Sequence, residues 1–175
     1  MNYARIKKHD IANGPGVRVS LYVSGCDFNC EGCFNPETWD FTYGGEFDSD
    51  TTYDVMEALS PWYIKGLSIL GGEPLHPKNL GAVKRLIDYT KSIFDDTKTI
   101  WIYTGYRYEM LTAEQREAIR GVDVLVDGPF KESDKIIDLR FRGSTNQHII
   151  DLKKTMGDGS VVLWDDPFVE IDMEE

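Results

Sequence analysis

The sequence is short of several things at once. Its 175 residues include only three cysteines and three histidines. Acidic residues outnumber basic ones, 30 against 19, for a formal net charge of −11. That excess repels nucleic-acid phosphates. The densest basic clusters, Arg5/Lys7/Lys8 and Lys131/Lys135/Arg140/Arg142, are small or have acidic neighbours, so no nucleic-acid partner is expected. No apolar run approaches the roughly 20 residues that span a bilayer, so no membrane-spanning helix is expected in it. The start, Met1-Asn2-Tyr3-Ala4-Arg5, lacks the apolar stretch of a signal peptide. Together these absences predict a cytoplasmic protein. In that compartment a disulfide framework is not expected, and clustered cysteines bind metal or do redox chemistry.

The chain does have enough apolar residues, 41%, to bury a core without covalent staples. Its length predicts one domain over residues 1–175. Val17 to Ser24 alternates β-branched, aromatic and polar residues and reads as a strand. Short apolar runs at 66–70, 99–104, 122–126 and 160–164 read as further strands. Helical spacing marks 51–60, 77–94 and 112–120, with Pro77 suited to a first turn and Thr112 to an N-cap. Alternating strands and helices imply an α/β fold. A complete eight-unit barrel needs about 250 residues. The expectation is therefore a partial, open β/α barrel of about five to six mostly parallel strands. Glycine turns then fall at strand ends, at Gly25, Gly71-Gly72, Gly105 and Gly128, along the edge where such folds bind ligands. Asn13-Gly14-Pro15-Gly16 reads as a turn ahead of the first strand. Residues 165–175 carry six acids and no base, which predicts a solvated acidic segment.

All three cysteines, Cys26, Cys30 and Cys33, lie within eight residues as C-x3-C-x2-C, just after a predicted strand. As unrelated buried thiols they would be poorly placed, because Asp27, Asn29 and Glu31 stand between them. As a structural zinc site they lack a fourth ligand, and His9 and His76 have no finger-like spacing. As ligands of a [4Fe–4S] cluster, normally closed by four thiolates, they leave one iron open to a small molecule. The amino and carboxylate groups of S-adenosylmethionine could chelate such an iron.

The spacing resembles that of the radical S-adenosylmethionine superfamily. Asn13 to Cys26, Cys30-Glu-Gly-Cys33-Phe34-Asn35-Pro-Glu-Thr-Trp39, Leu70-Gly71-Gly72-Glu73-Pro74-Leu75, Trp101 to Tyr106, Asp127-Gly128 and Arg142 to Gln147 together resemble the activating enzymes of anaerobic (class III) ribonucleoside-triphosphate reductase. The resemblance runs to about Gln147. It implies a [4Fe–4S] cluster on Cys26, Cys30 and Cys33 that cleaves S-adenosylmethionine. The deoxyadenosyl radical then takes a hydrogen from a backbone glycine of the large reductase subunit, with flavodoxin or ferredoxin as electron donor. It also implies that Gly71, Gly72 and Glu73 hold the methionyl amino group and that the backbone of Gly32, Cys33 and Phe34 meets the adenine. Many superfamily members place an aromatic before the third cysteine; here Gly32 stands there and Phe34 follows. Thr104 and Asp127 are candidate ligand-facing residues or turn formers, and the 140–147 stretch could line the opening for the glycine-bearing loop or be a surface loop. The histidines have no motif partner. Two other functions stay open: an activase of a different glycyl-radical enzyme, such as pyruvate formate-lyase, and a non-catalytic iron–sulfur or zinc module.

Overall fold

The computed structural model describes residues 1–166; of the expected acidic segment 165–175, all but Asp165 and Asp166 lie outside the described residues. The strands are β1 (Asn2–Asp10), β2 (Val17–Val23), β3 (Gly45–Glu46), β4 (Ile64–Gly71), β5 (Thr99–Tyr103), β6 (Val124–Asp127) and β7 (His148–Asp151). The helices are α1 (Ser49–Leu59), α2 (Pro77–Phe94), α3 (Ala113–Ala118) and α4 (Leu152–Asp158). The strands form one sheet in the order β3-β1-β2-β4-β5-β6-β7. β2, β4, β5 and β6 run parallel, and α1, α2 and α3 lie in the connections between them.

The α/β class is as expected and the sheet is not closed, but among the described residues the strand count needs correction and parallel pairing is confined to the middle of the sheet. Seven strands form an open mixed sheet, and β1, β3 and β7 are antiparallel to their neighbours. β1 (NYARIKKHD) hides from a hydrophobic reading because most of it is only half-buried or exposed. A strand with one wet side needs no apolar run. β7 (HIID) is four residues long and half polar. The strand expected at 160–164 is absent: of that segment only Leu163 forms an isolated bridge, to Ile150. Its apolar residues alternate, Val161 and Leu163 exposed and Val162 and Trp164 partly buried, and it lies along β7 through only two backbone hydrogen bonds, Asp151 N–H to Val162 O and Trp164 N–H to Ile149 O.

Strand alternation gives the sheet two unlike faces. Val19, Leu21 and Val23 of β2 join Leu67, Ile69, Ile100 and Ile102 in a dry core against α1 and α2. Val55, Met56 and Leu59 supply the α1 stripe, and Leu80, Val83, Leu86 and Ile87 that of α2. Pro77 opens α2 as expected. Thr112 caps α3 in a reciprocal capping box with Gln115.

The opposite face carries Arg18, Ser20 and Tyr22 of β2 and Ser68 of β4, all buried. Arg18 is 0% exposed, yet every nitrogen of its guanidinium donates a hydrogen bond. Nε donates to Ser68 Oγ at 2.8 Å, Nη1 to Thr99 Oγ1 at 2.9 Å, and Nη2 to the Leu67 and Thr99 carbonyls at 2.9 Å each. Burial lowers its pKa to about 10, still well above neutrality, so the cation persists and ties β2, β4 and β5 together. A smaller apolar cluster of Trp101, Val124 and Val126 continues this face toward Phe141 and Trp164. Arg18→Ala strands these buried acceptors, and urea denaturation should show a loss of about 2–4 kcal/mol.

Candidate functional site

The three cysteines follow the carboxyl end of β2. The loop is closed at its neck by backbone alone: Gly25 N–H donates to Thr38 O at 2.7 Å and Cys26 N–H to Trp39 O at 3.1 Å. Thr38 and Trp39 belong to the single 3-10 turn Pro36–Trp39. Within the loop, Cys33 N–H donates to Cys30 O at 3.2 Å, and Asn35 N–H points at Cys33 Sγ at 3.4 Å. Arg5 on β1 reaches across to Asn35 Oδ1 (2.6 Å) and Glu37 Oε1 (3.2 Å), bracing the returning chain.

The second strap is Gly71-Gly72-Glu73 at the end of β4. It is laced to the first: Gly72 N–H donates to Val23 O and Glu73 N–H to Gly25 O, both at 2.8 Å. These bonds explain the glycines differently from the sequence. Gly71 has φ +108°, and a Cβ there would sit 2.8 Å from the Tyr22 and Val23 backbone. A Cβ on Gly72 would meet Gly25 O at 2.6 Å. Close approach of the neighbouring protein backbone, not only of a ligand, demands both residues.

Glu73 is 1% exposed. Oε1 accepts from Leu75 N–H and Thr104 Oγ1–H at 2.8 Å each, and Oε2 from Gly105 N–H at 2.7 Å. Burial pushes its pKa up to about 7, against the lowering effect of these three donors. A carboxylate offers about four acceptor positions, so capacity remains for an ammonium.

Cys26, Cys30, Cys33, Phe34, Gly71, Gly72, Glu73 and Thr104 all line one cavity of about 510 Å³, within the usual range for small-molecule sites. Two candidates stand outside that lining. Gly32 faces the Glu132 carboxylate. Asp127 is completely buried and accepts from Tyr108 N–H at 2.8 Å, His148 N–H at 3.3 Å and Arg107 Nη1 at 3.4 Å. Asn13 lines the cavity as well, held by Asp10 Oδ2 (2.6 Å) and the Tyr22 hydroxyl (3.1 Å). From the 140–147 stretch, Phe141, Arg142, Gly143 and Gln147 reach the lining.

The donor set fits an iron–sulfur cluster. All three thiols are free and half-buried on the same cavity. Burial first, and then repulsion from Glu73, Cys30 and Cys33, pushes the Cys26 thiol up to about 11. A cationic metal centre among the sulfurs would remove that repulsion and favour the thiolates. Among the described residues no three His, Cys, Asp or Glu side chains converge as ligands of a single metal ion would. A cubane instead takes each thiolate on a separate iron.

Several contributors escape a motif reading. Asn79, on the buried side of α2, donates to Ser24 O and Glu73 O at 3.0 Å each and so joins both straps. Its signal was a polar residue in register with Val83, Leu86 and Thr90 on the buried stripe. Gln115 of α3 donates to Leu75 O at 2.9 Å behind the second strap. No sequence pattern marked Arg5.

Comparison with known proteins adds the family. Residues 12–150 match the 4Fe-4S single cluster domain. The chain is 41% identical over 149 residues to the anaerobic ribonucleoside-triphosphate reductase-activating protein of Enterobacteria phage T4, covering 85% of this chain and 93% of that one. It is 40% identical to the protein so named in Vibrio cholerae, over 85% of this chain and 97% of the other. For that of Escherichia coli K12 the figures are 38%, 87% and 100%.

The raised pKa of Glu73 has a measurable consequence. The protonated form is favoured by folding, so its stabilisation is complete below about pH 4.5 and lost as pH rises through about 7. In urea titrations of the cluster-free protein, stability should fall across that window by up to about 3 kcal/mol. Glu73→Gln should flatten this part of the profile; an unchanged profile would assign the titration elsewhere.

Proposed function

Because the chain belongs to the 4Fe-4S single cluster domain family and to the family of anaerobic ribonucleoside-triphosphate reductase-activating proteins, we propose that it is a radical S-adenosylmethionine enzyme that installs a glycyl radical in that reductase. The observation that carries this reading is the convergence of three free thiols and the Gly71–Glu73 strap on one cavity. Cys26, Cys30 and Cys33 would hold a [4Fe–4S] cluster through one thiolate each. When bound and reduced, such a cluster would supply the electron for splitting S-adenosylmethionine into methionine and a 5′-deoxyadenosyl radical, which would take a hydrogen atom from a backbone glycine of the reductase.

The chain's own residues bind and exclude. The Gly71–Glu73 strap takes the methionyl ammonium, with Glu73 fixed by Leu75, Thr104 and Gly105. The backbone of Cys33 and Phe34, which line the cavity, would meet the adenine, with Gly32 just outside that lining. Thr104 acts through Glu73, to which its hydroxyl donates. Asp127 supports the wall through Tyr108, Arg107 and His148. Phe34, 60% exposed, stands at the rim against Phe130, their ring centroids 4.9 Å apart. This rim and the 140–147 stretch admit the glycine-bearing segment and keep water from the radical. Flavodoxin or ferredoxin supplies the electron, and the work is done in the cytoplasm. No helix among the described residues is long and apolar enough to cross a membrane. The relatives' names favour this partner over another glycyl-radical enzyme such as pyruvate formate-lyase.

Anaerobic reconstitution with iron, sulfide and dithionite tests the reading. With S-adenosylmethionine the protein should release 5′-deoxyadenosine, and with the reductase it should produce a glycyl radical visible by electron paramagnetic resonance. Absence of 5′-deoxyadenosine would leave a non-catalytic module. Cys30→Ala should abolish both the brown absorbance and the cleavage, and retained cleavage would refute the ligand assignment.

A further inference from the structure

Asp27 directly follows the first cysteine, and His76 is the N-cap of α2. Neither has a part in the chemistry above, yet their side chains meet: His76 Nε2 lies 3.0 Å from Asp27 Oδ2. The other ring nitrogen fixes the sense of that bond. Lys78 N–H donates to His76 Nδ1 at 3.1 Å, and a backbone N–H can only donate. The ring proton therefore sits on Nε2 and is given to Asp27. One imidazole thus caps α2 with one nitrogen and grips the cysteine loop with the other.

The rest of the surroundings hold the ring in place. Phe41 packs against His76, ring centroids 4.6 Å apart, and Lys78 Nζ sits 4.3 Å above the Phe41 ring. Phe41 in turn presses on Gly25, where an added Cβ would collide with the ring. The backbone of His76 donates to Glu73 O at 3.2 Å, so the residue is anchored to the Gly71–Glu73 strap. The His76 side chain is 13% exposed and that of Asp27 75%. An exposed carboxylate in such a pair adds little to global stability. Its effect falls instead on where the loop sits.

We propose that His76 and Asp27 form a positioning clamp that sets the Cys26 end of the cluster loop against the Gly71–Glu73 strap, and so fixes how cluster and ligand meet. The link to cluster and ligand rests on the function proposed above; the clamp itself does not.

Three variants separate the clamp from a merely structural role. His76→Asn keeps an acceptor for Lys78 N–H but is too short to reach Asp27. Asp27→Ala removes the other partner, and Asp27→Asn still accepts from Nε2. In the cluster-free protein under anaerobic conditions, alkylation of each thiol by iodoacetamide is followed by peptide mass spectrometry. His76→Asn and Asp27→Ala should each speed Cys26 alkylation about five-fold, the scale of one lost hydrogen bond, and leave Cys33 and the melting temperature near wild type. Asp27→Asn should restore the wild-type rate, and the double variant should do no more than either single one. In the reconstituted protein the same two variants should weaken the change that S-adenosylmethionine makes in the paramagnetic resonance spectrum of the reduced cluster, and raise KM more than they lower kcat. Unchanged Cys26 alkylation, additive single effects, or equal acceleration at all three cysteines with a lowered melting temperature would each overturn the clamp. A wild-type protein that neither holds a cluster nor cleaves S-adenosylmethionine would overturn the proposed function, while the alkylation rates would still decide the clamp.

Discussion

A carboxyl group buried to 1% exposure needs hydrogen-bond partners, and Glu73 has Leu75 N–H, Thr104 Oγ1–H and Gly105 N–H. Those donors come from the ends of two neighbouring strands, β4 and β5. Satisfying one side chain therefore fixes the spacing of two loops at the ligand edge. The backbone of the same residue extends the constraint. Its N–H donates to Gly25 O, and its carbonyl accepts from Asn79 Nδ2 and His76 N–H. The cysteine loop, the start of α2 and the end of β5 all hang on Glu73.

The cysteine loop needs such a frame because it has little regular structure of its own. Short backbone hydrogen bonds close its neck, and Arg5 braces its return. Three thiols held by one flexible loop would lose much entropy on gathering around a metal centre. A loop tied at Gly25, Cys26 and Asn35 has already given up part of it. The elevated Cys26 thiol shows the other side of this arrangement: burial leaves that sulfur poorly solvated.

The sheet beneath divides the labour. On the helix side, alternating apolar residues of β2, β4 and β5 pack into the main core and supply the burial that drives folding. On the cavity side the same strands present Arg18, Ser20, Tyr22 and Ser68. Arg18 has four hydrogen bonds to four acceptor atoms there and spans three strands. Of these four only Tyr22 reaches the cavity lining; Arg18 and Ser68 tie the strands together away from it.

By itself the sequence determined the features that depend on local order. The spacing of Cys26, Cys30 and Cys33 marked the metal ligands proposed here. Pro77 and the periodic stripe marked α2, and Thr112 marked the start of α3, because caps and amphipathic faces involve residues a few positions apart. It misjudged the sheet edges. β1 and β7 bury too little apolar surface to be legible, and the alternating 161–164 segment forms a single bridge to β7 in place of a strand. Tertiary structure alone decided the rest. It showed that Gly71 and Gly72 make room for neighbouring backbone, and that Asp127 is buried outside the cavity lining while Asn13 belongs to it. It brought His76 to Asp27 and Asn79 to Ser24, pairs 49 and 55 positions apart. Hydrogen bonds over such separations leave no periodic trace in a chain, because the sheet order that brings their ends together is set by the burial of the whole core.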